Sequence, residues 1–136
     1  MKGTVAPLRA VVGLLAVVLL LVACDTPDPG EAGTILVVAM AGPTCPVETD
    51  PPDPECAPQP VADAPIVVMR AVGGDEVVAE GTTDADGRLT LEIPAGDYRV
   101  TGGSVAGLVG TPEPVLVSVL AGLTTEVPLG YDTGIR

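Results

Sequence analysis

The chain has 136 residues, 47% of them hydrophobic, with two tyrosines and no Trp, Phe or His, and its 6 Lys and Arg face 18 Asp and Glu for a formal net charge of −12 at pH 7. Without histidine there is no Ser-His-Asp or Cys-His nucleophile pair, no imidazole metal site, and no side chain whose ordinary pKa lies near neutrality. An acidic chain without a Lys/Arg cluster has nothing with which to displace counterions from a phosphate backbone, so nucleic acid is excluded as a partner.

Lys2 and Arg9 are the only cations before residue 24, and both precede the uninterrupted apolar run 10–23. A positive start followed by about 14 apolar residues is shorter than the ~20 that a helix needs to cross ~30 Å of hydrocarbon, so the segment reads as a secretory signal rather than a span. The run closes on Leu21-Val22-Ala23-Cys24, which resembles the lipobox of bacterial lipoproteins. That resemblance implies a lipoprotein signal peptide over 1–23, cleaved before Cys24, and acylation of Cys24 with palmitate-type chains. An ordinary signal peptide with Cys24 beside its cleavage site is the competing reading. Cleavage removes two cations and no acids, leaving four cations against 18 acids, or −14. With no basic patch to dock on anionic headgroups, attachment to the extracytoplasmic face of the cell membrane falls to the acyl chains, at ~0.8 kcal/mol per buried methylene.

Residues 24–32 carry the acylated cysteine and then Asp25, Pro27, Asp28 and Pro29, a polar, proline-broken tether. The domain is expected over 33–130, opening with an apolar strand at 35–41 that is buried on both faces. A Pro-rich loop spans 42–64. With Cys24 given to lipid, Cys45 and Cys56 remain as an even pair in a disulfide-permissive compartment, and a bridge between them is expected. Closing that loop removes roughly 3 kcal/mol of denatured-state entropy, in a segment whose seven prolines from Pro43 to Pro60 oppose regular strand or helix. A soft-metal site of Cys45, Cys56, Met40 and Met69 is the rival, lacking close spacing and histidine.

A β-branched strand follows at 65–72, then the turn Gly73-Gly74-Asp75 and a second strand at 76–82, together a hairpin. Asp84-Ala85-Asp86-Gly87 breaks the chain. Next, Leu89, Leu91 and Ile93 alternate with Arg88, Thr90 and Glu92, the clearest period-two segment and the mark of a half-buried strand. Pro94-Ala95-Gly96-Asp97 turns the chain again; Tyr98 and Val100 point inward, Arg99 and Thr101 outward. After a loose stretch at 102–114, Val115, Val117 and Val119 resume the alternation, Ala121-Gly122 turns, and 124–129 returns with Val127 and Leu129 inward. A polar tail is expected at 131–136. Seven short strands with turns between most of them, and no sustained 3.6-residue period, point to a β-sandwich with a Val, Leu, Ile and Ala core.

The run from Glu80 to Leu91, with Thr82-Thr83-Asp84-Ala85-Asp86-Gly87 at its centre, and the following Ile93-Pro94-Ala95-Gly96-Asp97-Tyr98-Arg99-Val100 resemble the carboxypeptidase-regulatory-like domains, prealbumin-like sandwiches that include collagen-adhesin B-type repeats. The resemblance implies an all-β fold, a single seven-stranded Greek-key β-sandwich. In its turns Asp84 closes on the backbone beside Asp86, and Gly87 and Gly96 supply positive φ. Two chemistries of that superfamily do not transfer. The Lys-Asn isopeptide crosslink is impossible because residues 24–136 contain neither Lys nor Asn, and the hydroxyisourate hydrolases depend on histidine.

Two acidic groups are candidate divalent-metal ligands, calcium foremost. Asp84 and Asp86 could be joined by Asp97 or Glu80, but an EF-hand counted from Asp84 meets Ala95 at its twelfth position, so a turn aspartate is the simpler reading. Glu48, Asp50, Asp53 and Glu55 crowd the Pro-rich loop, and a solvated charge run is the usual explanation of such a cluster. No cofactor is otherwise expected. The composition thus points to a non-catalytic, membrane-anchored structural or binding module for an extracytoplasmic protein or glycan, with divalent-metal binding as the alternative.

Overall fold

The computed structural model describes residues 30–136; Cys24, the signal segment and most of the expected tether lie outside the described residues. From Ala32 onward the chain is rich in Val, Ile, Leu and Thr at alternating positions, which suits a pleated, half-buried surface. Its eight strands are β1 (Ala32–Gly42), β2 (Gln59–Pro60), β3 (Pro65–Arg70), β4 (Val77–Thr82), β5 (Arg88–Pro94), β6 (Gly96–Gly102), β7 (Val115–Val119) and β8 (Thr124–Asp132). They form two four-stranded sheets. In the first, β1 pairs antiparallel with β5 and, near its end, with β2, while β8 runs parallel along its other edge. The second has the order β4-β3-β6-β7, antiparallel throughout.

The sheets face each other across one apolar core. Ile35, Val37, Ile93, Val127, Leu129 and Tyr131 come from the first sheet, and Ile66, Val68, Tyr98, Val100 and Val119 from the second. The expected all-β sandwich is therefore the fold observed. The β3–β4 hairpin is present, and the alternation of β5 and β6 faces as expected: Ile93, Tyr98 and Val100 are buried, and Leu89 and Leu91 pack half-buried at the margin of the core.

Four expectations need correction. The segment 35–41 is not buried on both faces: Ile35, Val37, Ala39 and Ala41 are buried, whereas Leu36, Val38 and Met40 are half-buried, because a two-layer sandwich covers only one side of each sheet. The Pro-rich loop is not wholly irregular, since it holds a 3-10 turn at Pro54–Cys56 and β2, a two-residue edge pairing that proline tolerates, which raises the strand count to eight. β3 stops at Arg70, with Val72 81% exposed in the turn that follows. The domain does not end at Gly130. β8 continues through Tyr131 and Asp132 because β1 runs on to Gly42 and offers both a partner, and Tyr131 is buried.

This topology gives the sandwich two distinct poles. The chain enters at Ala32, and 11 residues of β1 at ~3.3 Å each carry it about 35 Å to Gly42. At the entry pole lie the β3–β4, β5–β6 and β7–β8 turns, the latter two tied to the incoming strand by Ala95 N–H to the Glu31 carbonyl (2.8 Å), Gly122 N–H to the Ala32 carbonyl (2.9 Å) and Thr34 N–H to the Leu123 carbonyl (2.9 Å). At the opposite pole sit the Pro-rich loop, the Asp84 turn and the chain's C-terminal residues.

Candidate functional site

Cys45 and Cys56 are joined in a disulfide with a Cα–Cα distance of 5.3 Å, so the expected bridge forms, and it consumes the thiols of the rival soft-metal reading. Met40 and Met69 sit on β1 and β3, in different sheets, and do not complete such a set. The loop is also held by polar contacts. The Thr44 hydroxyl donates to the Cys56 carbonyl at 2.5 Å. Asp53 Oδ1 accepts the Glu55 N–H at 2.9 Å, capping the 3-10 turn. From the C-terminal segment, the Thr133 hydroxyl donates to the Pro43 carbonyl.

These ties shape a cleft of about 410 Å³ lined by Glu48, Thr49, Pro52, Asp53, Pro54, Cys56, Ala57 and Pro58. A shallower hollow between Met40, Gly42, Pro58, Gly130, Tyr131 and Asp132 adjoins it through Pro58. Of the four loop acids, Glu48 and Asp53 line the cleft, while Asp50 and Glu55 do not; all four are exposed. Among the described residues no three Asp, Glu, Cys or His side chains gather into a set able to hold a metal ion.

The Asp84 turn stands at the same pole and is occupied by backbone bonding. Asp84 Oδ1 accepts the N–H groups of Asp86 and Arg88, both at 2.9 Å, which is the Asx turn expected of it. Asp86 is exposed. Gly87, at φ +71°, lies so close to β1 that a Cβ would sit 2.4 Å from the Ala39 carbonyl oxygen. Gly96, in the turn at the entry pole, also takes a positive φ, +157°, as expected of that turn, though a Cβ there would meet only the Tyr98 ring and hydroxyl, at 3.5 Å or more. The Tyr98 hydroxyl donates to the Pro94 carbonyl at 2.6 Å, closing that turn from within the core.

Two residues that the sequence pattern did not single out brace the loop pole. Thr83 is the one buried polar side chain among the described residues, bonded to Val61 and Ala64 where the loop rejoins the sandwich. Tyr131 is buried and donates its hydroxyl to the Gly103 carbonyl at 3.1 Å, joining β8 to the 103–114 segment; burial pushes its phenol pKa up. The alternation Val127, Leu129, Tyr131 was the signal for it. Beyond Tyr131, Arg136 and Asp132 form a bidentate pair whose shortest contact is 2.9 Å, and the hydrogen bond from Arg136, with a second from Gly134 N–H, lowers the Asp132 pKa to about 2.

The arrangement is a stapled loop with carboxylates and proline rings exposed.

No protein-family profile matches the chain, and no curated protein matches it in sequence. Its fold is similar to solved structures. GBS52, the minor pilin of Streptococcus agalactiae, aligns over 76% of this chain and 45% of its own with TM-score 0.57 and 14% identity. The shaft pilin SpaA of Lactobacillus rhamnosus GG aligns over 74% of this chain and 49% of its own with TM-score 0.54 and 15% identity. PA1324 of Pseudomonas aeruginosa, a proposed carbohydrate-binding protein, aligns over 76% and 90% with TM-score 0.52 and 16% identity. The chain thus spans about half the length of the two pilins, and the likeness is one of fold.

Proposed function

We propose that this chain is a lipid-anchored, non-catalytic display domain of the bacterial cell surface. Acyl chains on Cys24 hold it to the extracytoplasmic face of the membrane, a short proline-broken tether leads into β1, and the sandwich presents the Cys45–Cys56 loop to a protein or glycan partner. The observation that carries this reading is the run of β1: the chain enters at one pole, beside Glu31 and Ala32, and the stapled loop begins where the strand ends at the other. An anchor before residue 30 therefore leaves the loop outermost, about 35 Å beyond the entry pole.

The loop is suited to that place. A disulfide, an Asp53 cap and two threonine hydroxyls order it in advance, so less entropy is lost when a partner docks. Exposed carboxylates and a proline-lined cleft favour a partner that offers cations or hydroxyl donors above an apolar surface. The pilin and carbohydrate-binding names of the structural neighbours fit a structural or binding role of this kind.

Photocrosslinking in intact cells tests the reading. A crosslinking residue at Thr49, in the loop, is expected to trap a partner only while the disulfide is intact, and one at Ala95, at the entry pole, is expected not to trap that partner. Equal yields from the two positions, or none from Thr49, would contradict it.

A further inference from the structure

The entry pole exposes large aliphatic side chains beside the point where the chain enters the domain. Leu120 is 60% and Leu123 56% exposed, and Val72, in the β3–β4 turn at the same pole, is 81% exposed. The two leucines belong to one tight turn, closed by Leu123 N–H to the Leu120 carbonyl at 3.2 Å, so their backbones lie within about 7 Å and their side chains share one patch. That turn is fastened to the start of β1 by the Gly122–Ala32 and Thr34–Leu123 backbone bonds. It also lies directly over Gly33, where a Cβ would come within 2.3 Å of the Leu120 carbonyl oxygen. The patch therefore stands beside the point where the chain leaves the domain toward Cys24.

We propose that the Leu120–Leu123 turn is a second membrane contact that inserts into a zwitterionic lipid surface next to the acylated cysteine. The proposal rests on the lipid-anchoring reading above. Cys24 precedes Ala32, whose carbonyl accepts the Gly122 N–H of this turn, by eight residues, so even a fully extended tether holds the turn within roughly 30 Å of the acylated sulfur. At that range the leucines meet the bilayer as an intramolecular event, and a contact too weak to recruit a free protein suffices to orient a tethered one. Charge selects the lipid. Arg70 and Arg99, the arginines nearest this pole, are paired with Glu76 (3.2 Å) and Asp75 (2.9 Å), while Glu31 and Glu92 border the hollow beside Ala121 and Gly122 and Asp97 is exposed nearby. The pole therefore repels anionic headgroups and approaches neutral ones through its apolar side chains.

The chain has no tryptophan, so a single substitution gives a clean reporter. The full-length acylated protein carrying Leu123→Trp is reconstituted on phosphatidylcholine vesicles containing brominated lipid, with Val47→Trp, in the opposite loop, as control; far-UV circular dichroism verifies the fold of both. The expected result is a blue-shifted emission quenched at least twofold for Leu123→Trp and unquenched for Val47→Trp, with the quenching reduced when half the lipid is phosphatidylglycerol. Co-sedimentation with the vesicles without quenching of Leu123→Trp would overturn the contact and leave the anchor standing. Failure of the acylated protein to co-sediment at all would overturn the anchor reading and the contact with it.

Discussion

The Thr83 hydroxyl, 2% exposed, donates to the Val61 carbonyl at 2.6 Å and accepts the Ala64 N–H at 2.9 Å. Backbone bonds from Asp63 N–H to the Thr83 carbonyl (3.0 Å) and from Thr83 N–H to the Ala64 carbonyl (3.1 Å) complete the seam. One side chain thus satisfies both sides of the point where the stapled loop returns to the sandwich. Thr83→Val keeps the shape and leaves a buried donor and acceptor unpaired, so unfolding free energy should fall by about 2–4 kcal/mol in denaturant titration. Thr83→Ser, which retains the hydroxyl, should recover most of that loss. Equal effects of the two variants would assign the cost to packing instead.

Gly87 combines a left-handed backbone at φ +71° with direct contact against β1. Gly87→Ala should cost about 2–4 kcal/mol, from left-handed strain together with displacement of the Ala39 carbonyl. Gly107→Ala is the control. Its φ of +87° imposes similar strain, but nothing lies within 4 Å of its Cβ, so its cost should stay near about 1–2 kcal/mol. Comparable melting temperatures for the two variants would remove the role given to close approach.

The disulfide closes a loop that lies outside the core, so its removal should loosen the loop and spare the sheets. Cys45→Ser with Cys56→Ser should lower stability by about 2–4 kcal/mol. Chemical-shift changes should be confined to residues 43–60 and their neighbours, with β1, β3, β6 and β8 unchanged, while the most protected sheet amides exchange faster only by the amount of the global loss. Shift changes across both sheets would show that the staple supports the core itself.

Asp132 gives the tail a pH dependence of known sign. Its carboxyl is lowered from the ordinary 3.8 to about 2 by Arg136 and by Gly134 N–H, so the contact between β8 and the tail is fully present above pH 3.8 and is lost as pH falls through about 2. An NMR titration of the Asp132 carboxyl should show a midpoint near that lower value. In Arg136→Gln the midpoint should rise toward 3.8 without reaching it, because the Gly134 bond remains; an unchanged midpoint would contradict the pairing.

What the sequence disclosed follows from the range of the interactions involved. The alternation of Leu89, Leu91 and Ile93 was legible because one face of β5 meets the core and the other meets water, and the disulfide was legible from cysteine parity once Cys24 was set apart. The end of β8 was not. Gly130 and Gly134 flank Tyr131 and Asp132 like turn residues, and the strand continues only because β1, some 90 residues earlier, offers a parallel edge. Thr83 was hidden for the same reason, since its partners lie about 20 residues away across the β3–β4 hairpin. The separation of the two poles, on which the functional reading stands, is a property of topology that no local pattern carries.

The most direct measurement is mass spectrometry of the N-terminal peptide of the protein isolated from its host membrane. Display from a lipid anchor requires that the chain begin at Cys24 and that its sulfur carry a diacylglyceryl group. A chain still beginning at Met1, or a Cys24 bearing an unmodified thiol, would contradict it.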